Sequence, residues 1–412
     1  MYKLTRLLYY MINNYRMLQY LVLIFVAMDS AIMGQHFQPG NGGGYHIDID
    51  SSEYNEGNQN EYTNSIVVLS GIGKRSDVIN LNGQKCDPLP KFPFELTFAT
   101  GMFFNESITL CGGQQSTYLA SKKEIKTRTI EQCFTLKNGL WDTSITMLKK
   151  RSMAKSIVVG KDLWITGGAN LQEIYHYVDK KHFVVDDIHF DMFNDSEMIS
   201  ENGSQKLGPL LPPNHECHSN GTLINHNLVS INETHTLLIG GECVSNGIDD
   251  DTSNSKSTKS TFYYDHLNQI WSQGPDMMST FDTIAGAGAG IIVDKITGGK
   301  NVIVVHGGGQ TEILKVGTNK WTDGPLLIPD GHLYLTAFFF DPLTIAMEEE
   351  FFVFGGFILD LIQFDVLPNY IMYKMACEND KCLWSKTSVQ LSQTYEPFLV
   401  AISVPNGVLN CK

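Results

Sequence analysis

The sequence predicts an all-β chain built from repeated antiparallel sheets, on three observations. Apolar runs end on paired or near-paired glycines six times, in SIVVLSGIG (Gly71), SITLCGG (Gly112), DLWITGG (Gly167), HTLLIGG (Gly240), NVIVVHGG (Gly307) and FFVFGG (Gly355). The stretch from Trp141 to Gly168 shows period-two apolarity on both sides of Gly160-Lys161-Asp162, the pattern of a β-hairpin. The composition, with 37 glycines, 42% hydrophobic and 18% charged residues, suits a large β core with many turns. A diglycine closing a strand marks backbone at positive φ, or a place where another segment passes too close for a Cβ.

Four of the units then carry a tryptophan: Trp141, Trp271, Trp321 and Trp384. A repeat of about 50 residues in the order strand, diglycine, strand, Trp resembles the Kelch repeat. The resemblance runs from about Ser65 to the C-terminus. It departs from the pattern where the first unit reads Gly-Ile-Gly, where two units lack the Trp, and at Arg151, which has few counterparts. It implies a six-bladed β-propeller over residues 65–412, each blade a four-stranded sheet whose second strand ends in the diglycine. Blade one would start at that second strand (Ser65–Ser70, then Asp77–Leu81), with its innermost strand supplied by the C-terminal strand Pro397–Val404. Such closure removes the free edges that invite aggregation.

The remaining blades are expected at Leu96–Asp142, Ser152–Pro212, Thr222–Gln273, Thr283–Asp323 and His332–Leu391. Blades three and four carry polar insertions, Asp186–Gln205 and Val244–Ser260, which read as surface loops.

Residues 1–34 stand outside the repeat. Met17–Met28 is a twelve-residue apolar run behind Arg16 and ahead of Ser30, Ala31 and Gly34, which describes a secretory signal peptide cut near Gly34. The run is shorter than the roughly 20 residues a spanning helix needs, but Leu7–Ile12 adds a second apolar patch, so an uncleaved membrane anchor is the alternative. Residues 35–64 are Gly-, Asn- and acid-rich and read as a flexible lead-in. Thirty residues leave no room for the second folded domain of an adaptor protein. Net charge is −14, and residues 1–34 carry three cations against one acid, so the chain without them stands at −16. Such a surface repels nucleic acid and anionic lipid, so neither is expected as a partner.

Eight cysteines behind a signal peptide favour disulfides. Strand placement under the Kelch resemblance suggests Cys111 with Cys133, Cys377 with Cys382 across a tight turn, and Cys217 with Cys243. Cys86 and Cys411 are left for each other, although sequence alone fixes no connectivity. Five N-glycosylation sequons occur, at Asn105, Asn194, Asn202, Asn220 and Asn232.

His215-Glu216-Cys217-His218 offers three zinc-type donors but no fourth, and reads better as a disulfide segment. Asp249–Asp251 and Glu348–Glu350 lack a calcium-loop pattern and read as solvated faces. His306 beside Gly307 reads as structural. No nucleophile elbow, zinc-protease helix motif or phosphate loop is present in the sequence. The expected function is therefore a secreted binding or scaffold module for protein or glycan, with no cofactor and no catalytic site. The alternatives are a secreted propeller enzyme, such as a copper oxidase related to galactose oxidase, and the same propeller tethered to a membrane.

Overall fold

The computed structural model describes residues 62–412, apart from 72–73, 120–123, 178–182, 204, 210, 213–220, 246–254, 280–287, 330–336, 341, 361–364 and 392–398. The chain divides into two units, Met1–Asn60 and Glu61–Lys412, and only the second is described here. The signal-peptide segment and residues 35–61 of the lead-in lie outside the described residues.

The described chain is all-β and consistent with a propeller. Six antiparallel sheets follow one another along the sequence. Sheet one contains Val400–Pro405, Asn64–Ser70 and Arg75–Ile79. Sheet two contains Thr100–Phe104, Ser107–Cys111, Gln132–Lys137 and Leu140–Thr146. Sheet three contains Lys155–Val159, Asp162–Thr166, Ser196–Ser200 and Gln205–Leu207. Sheet four contains Asn227–Asn232, His235–Ile239, Thr261–Asp265 and Ile270–Gln273. Sheet five contains Gly288–Val293, Lys300–Val305, Thr311–Lys315 and Trp321–Asp323. Sheet six contains Leu343–Met347, Glu350–Phe354, Ile371–Glu378 and Lys381–Gln390. Local turn chemistry sets several of these pairings. Asn105-Glu106, Asn138-Gly139 and Asn379-Asp380 all lie at positive φ, as two-residue hairpin turns of the twist-matching kind require.

The second strands explain the continuous apolar runs of the sequence. Ile66–Leu69, Leu163–Ile165, Val302–Val305 and Phe351–Phe354 are buried on both faces, because each sheet is covered on both sides by a neighbour. Alternate residues of one strand therefore serve different interfaces. Val67 and Leu69 pack with Ile108, Leu110 and Phe134 of sheet two, while Ile66 and Val68 pack with Phe352, Phe354 and Met372 of sheet six. Sheet two meets sheet three through Cys111, Leu163 and Ile165, and sheet three meets sheet four through Trp164 and Tyr264. Sheets four and five share Leu237, Ile239, Val302 and Val304; sheets five and six share Ile303, Val305, Phe351 and Val353. Full burial of each such side chain is worth about 1.5–3 kcal/mol.

Sheet one pairs its central strand with a strand from the far end of the sequence. Asn64–Ser70 pairs antiparallel with Val400–Pro405 in the register Ile66↔Ser403, Val67↔Ile402, Val68↔Ala401. The Cys86–Cys411 disulfide lies beside this seam, and Lys85 and Lys412 exchange backbone hydrogen bonds at 3.1 and 3.0 Å. Tyr62 and Thr63 fasten the entry of the strand. The Tyr62 hydroxyl donates to Glu350, the Asn406 amide donates to the Tyr62 carbonyl at 2.7 Å, and Thr63 Oγ1 donates to Glu348 at 2.7 Å.

Three tryptophans tie an outer strand to an earlier connection. Trp141, Trp321 and Trp384 donate from Nε1 to the carbonyls of Pro90, Pro275 and Pro325 at 3.1, 2.8 and 3.0 Å. In each case the proline lies in the segment that leads out of the preceding sheet.

Four expectations need correction. Sheet one shows three strands among the described residues rather than four. Its C-terminal strand begins at Val400, with 397–398 outside the described residues. Asp186–Gln205 is not a loop, since it holds the end of the strand Phe183–Met192 and all of Ser196–Ser200, the third strand of sheet three. Its acidic residues hid that strand, because Glu197 is a buried ion-pair partner rather than a solvated charge. Glu350, likewise, is not on a solvated face: it is buried and accepts from Lys374 Nζ at 2.7 Å.

Ile402→Ala at the seam is expected to cost about 2–5 kcal/mol. Replacing both Cys86 and Cys411 by Ser should cost about 2–4 kcal/mol. Either change should lower the midpoint of one cooperative unfolding transition seen by both tryptophan fluorescence and circular dichroism. A separate early transition confined to one signal would show that the seam is not part of the cooperative unit.

Candidate ligand-binding face

The two ends of the sheets are built differently. Within each sheet, the link from first to second strand and the link from third to fourth lie at one end, and the link from second to third lies at the other. Turn ends meet turn ends across sheets: Asn105 Nδ2 of sheet two donates to the Glu201 carbonyl of sheet three at 2.8 Å, and Lys300 of sheet five to the Ile231 carbonyl of sheet four at 2.9 Å. Asp294 of sheet five accepts from the Asp380 amide of sheet six at 2.8 Å. The turns at this end are short.

The opposite end begins at the diglycines. Gly112 and Gly113 have φ of 63° and 94°, and a Cβ on Gly112 would overlap the Arg151 carbonyl oxygen. The bare backbone lets the segment joining sheets two and three pass directly over the strand end, with Gly113 N–H donating to the Arg151 carbonyl at 2.8 Å. The same device recurs where Gly168 N–H donates to the Leu223 carbonyl at 3.0 Å.

From these strand ends the chain runs on into long hairpins. Sheet two puts out Gln114–Leu119 and Glu124–Thr129, sheet three Ala169–Tyr177 and Phe183–Met192. Sheet four puts out Glu242–Ser245 and Ser255–Ser257, sheet six Phe357–Asp360 and Asp365–Pro368. Sheet five has only the turn Gly307–Gly309. The hairpins of sheets two and three join, with Leu96–Thr97, into one five-stranded sheet. Gln115, Arg128 and Gln172 stand in one cross-strand row on it, and Arg128 donates to Gln115 at 3.1 Å. Arg128, Gln172 and Thr117 are exposed, whereas Gln114, Thr127 and Thr129 on the reverse side are buried. The exposed residues of this face are thus polar and include a guanidinium and a side-chain amide.

A buried charge cluster holds the base of these hairpins. Arg151 donates from Nε to Glu197 at 2.6 Å, from one terminal nitrogen to the Gly167 carbonyl at 2.7 Å, and from the other to Asp195 at 2.5 Å. Glu197 also accepts from the Leu148 amide at 2.6 Å, Lys149 pairs with Asp195, and the Phe193 ring lies 4.9 Å from the Arg151 guanidinium. Burial alone would raise the Asp195 pKa, but the hydrogen bonds from Lys149 and Arg151 hold it below the ordinary carboxylate value. Sheet five repeats the arrangement at the equivalent strand position. Glu312 accepts from the Met278 and Ser279 amides at 2.8 Å each and from His306 at 3.1 Å. There too the hydrogen bonds outweigh burial and depress the pKa. Neither Glu197 nor Glu312 was singled out from sequence, where the only sign was an acid within an otherwise apolar strand.

A cleft of about 620 Å³ lies elsewhere, between sheets five and six, lined by Lys315, Lys320, Thr322, Lys381 and Leu383 among others. The Lys315–Asp380 ion pair, with both Nζ–Oδ distances at 2.7 Å, crosses it and neutralises much of its charge.

The sequence-selected residues fall as follows. Cys86 bonds Cys411, Cys111 bonds Cys133 and Cys377 bonds Cys382, the last two as directly opposed cross-strand pairs. Cys243 is also disulfide-bonded, while Cys217, with His215 and His218, lies outside the described residues. Asn105 and Asn202 are exposed in turns, Asn232 is exposed at the end of a strand, and Asn194 is half-buried at the hairpin end. Asn220 and Asp249–Asp251 lie outside the described residues. Among the described residues no helix is long and apolar enough to cross a membrane.

No family model matches the chain. No curated protein matches it either. Among solved structures, one titled "Structure of YjhT" is similar over 74% of this chain and 87% of that chain, at 13% identity and a TM-score of 0.45.

Arg151→Ala should leave Glu197 buried without its cation and Asp195 with Lys149 alone, and cost about 3–5 kcal/mol, whereas Arg151→Ala with Glu197→Ala should cost less than the sum of the single changes. Denaturant titration of the four proteins measures the coupling. The depressed carboxyls also set a pH dependence. Groups with lowered folded pKa stabilise fully above the unfolded value, about 4, and that contribution is lost as pH falls through the folded value. Stability should therefore drop below about pH 4, and Asp195→Asn should flatten that acid limb in denaturation midpoints taken from pH 7 to pH 2.

Proposed function

We propose that the six sheets are the blades of a closed six-bladed, Kelch-type propeller whose first blade takes its innermost strand from the C-terminus. What supports the ring is the cycle of apolar interfaces, in which every sheet shares a cluster with the one before and the one after, and sheet six shares one with sheet one. On this reading the protein is a secreted, N-glycosylated binding or scaffold module for a protein or glycan ligand. The disulfides fit an oxidising compartment, and the apolar segment ahead of residue 35 fits a signal peptide.

The observation that carries the binding role is the asymmetry of the ends. All the long hairpins rise from the diglycine end, and the largest of their sheets presents an outward row of Gln115, Arg128 and Gln172. Amide and guanidinium groups in register suit hydrogen bonding to hydroxyls, carboxylates or backbone carbonyls of a ligand.

Expression in a secretory host should deliver protein to the medium with an N-terminus near Gln35. That protein should then be screened against an immobilised glycan array and a panel of extracellular proteins, beside Arg128→Ala and Gln172→Ala. Loss of a hydrogen bond to a charged group is worth about 1.5–3 kcal/mol, so Arg128→Ala should weaken the ligand found by tenfold or more. A ligand held equally by both variants would place the binding face elsewhere, and stoichiometric copper with oxygen consumption would replace the binding role by an enzymatic one.

A further inference from the structure

Three of the described sequons share one end of the molecule. Asn105 lies in the turn between the first two strands of sheet two, Asn202 in the turn between the last two strands of sheet three, and Asn232 at the turn between the first two strands of sheet four. All three are exposed. Asn105 and Asn202 also adjoin across sheets, because Asn105 Nδ2 donates to the carbonyl of Glu201, the residue before Asn202, and Asn232 stands on the same end of the next sheet. An amide nitrogen carries two hydrogens, and N-glycosylation replaces one of them. The other can keep the bond to Glu201, so a glycan on Asn105 would be rooted within one residue of the next attachment point.

Asn232 is arranged for the same modification. Its Oδ1 accepts from the amides of Thr234 and His235, each at 2.8 Å, and from the Thr234 hydroxyl at 2.9 Å. Those bonds orient the carboxamide with its oxygen engaged inside the turn and leave the nitrogen as the atom available for attachment. Asn194 differs. It is half-buried at the hairpin end, its carbonyl accepts from the Leu211 amide at 2.8 Å, and the serine of its sequon, Ser196, is buried with its hydroxyl donating to the Pro209 carbonyl at 2.6 Å.

From this placement we infer that N-linked glycans at Asn105, Asn202 and Asn232 form one contiguous cover over the turn end of sheets two, three and four, and that Asn194 carries none. The consequence is a division of the surface. The turn end of these sheets is shielded by carbohydrate, and the hairpin strands Gln114–Leu119, Glu124–Thr129 and Ala169–Tyr177, which contain no sequon, stay bare for ligand. The inference rests on the proposal that the protein enters the secretory pathway, and goes beyond it by naming which asparagines are occupied and which end they cover.

The test uses full-length protein secreted from a eukaryotic host. Peptide mapping after amide-cleaving glycosidase, which converts each glycosylated Asn to Asp, should find conversion at 105, 202 and 232 and none at 194. Hydrogen–deuterium exchange is then compared before and after glycosidase treatment. Glycan removal should speed exchange at least severalfold in peptides covering 104–107, 200–203 and 231–235, and leave 114–119 and 124–129 unchanged. Conversion at Asn194, or faster exchange in the hairpin peptides with the turns unchanged, would overturn the assignment of the covered end. No conversion at any asparagine in secreted protein would overturn glycosylation itself and this inference with it, and leave the hairpin-face binding role standing.

Discussion

The structure depends on one strand pairing, that of Asn64–Ser70 with Val400–Pro405. Other sheets are assembled from neighbouring stretches of sequence, so their hairpins form with little loop-closure cost. Sheet one alone brings together residues more than 300 positions apart, and it does so with side chains that serve the sheets on either side. Ile66 and Val68 belong to the core shared with sheet six, and Val67, Leu69, Ile402 and Val404 to the core shared with sheet two. Without the pairing, two interfaces lose one wall each and two strands expose an edge. The surrounding devices all bear on this point: the Cys86–Cys411 disulfide, the Lys85–Lys412 backbone bonds, and Tyr62 held between Glu350 and Asn406.

That constraint also explains why the decoration is one-sided. The inner parts of the sheets are committed on both faces to packing, which leaves only the two ends free to vary. At the turn end the links are two to six residues long and interlock, as between Asp294 and Asp380 or Asn105 and Glu201. At the diglycine end the backbone is bare, the next connection crosses directly over it, and buried carboxylates such as Glu197 and Glu312 anchor that crossing through main-chain amides. A rigid base of this kind lets hairpins extend outward without loosening the core, which is how a scaffold presents recognition surfaces.

Much of the strand framework was legible in the sequence because burial on both faces gives unbroken apolar runs, as in Val302–Val305 and Phe351–Phe354, that local pattern detects without context. The diglycines were legible as special backbone, and their cause, the crossing of segments such as that carrying Arg151, required three dimensions. The hairpin sheet was not legible. Residues 186–205 read as an acidic loop because charge was taken as a sign of solvent, whereas Glu197 is ion-paired with Arg151 and accepts from the Leu148 amide, both in a segment some 50 residues earlier. Glu350 misled in the same way, since its partners Tyr62 and Lys374 are remote in sequence. The Gly-Pro pairs at Gly208, Gly274 and Gly324 are a further sequence mark of the repeat. Each follows an outer strand, and each glycine amide donates to the first residue of the third strand of its sheet at 2.8–2.9 Å.

Native-state hydrogen exchange of the backbone amides at the seam tests the central claim most directly. If the pairing of first and last strands closes the ring, the slowest amides of 66–69 and 401–404 should exchange with the same free energy, and the same denaturant dependence, as those of 302–305 in the core of sheet five. Exchange of the seam amides by a separate, lower-energy opening with little denaturant dependence, while residues 302–305 stay protected, would contradict it: the ring would then stand without the strand said to close it.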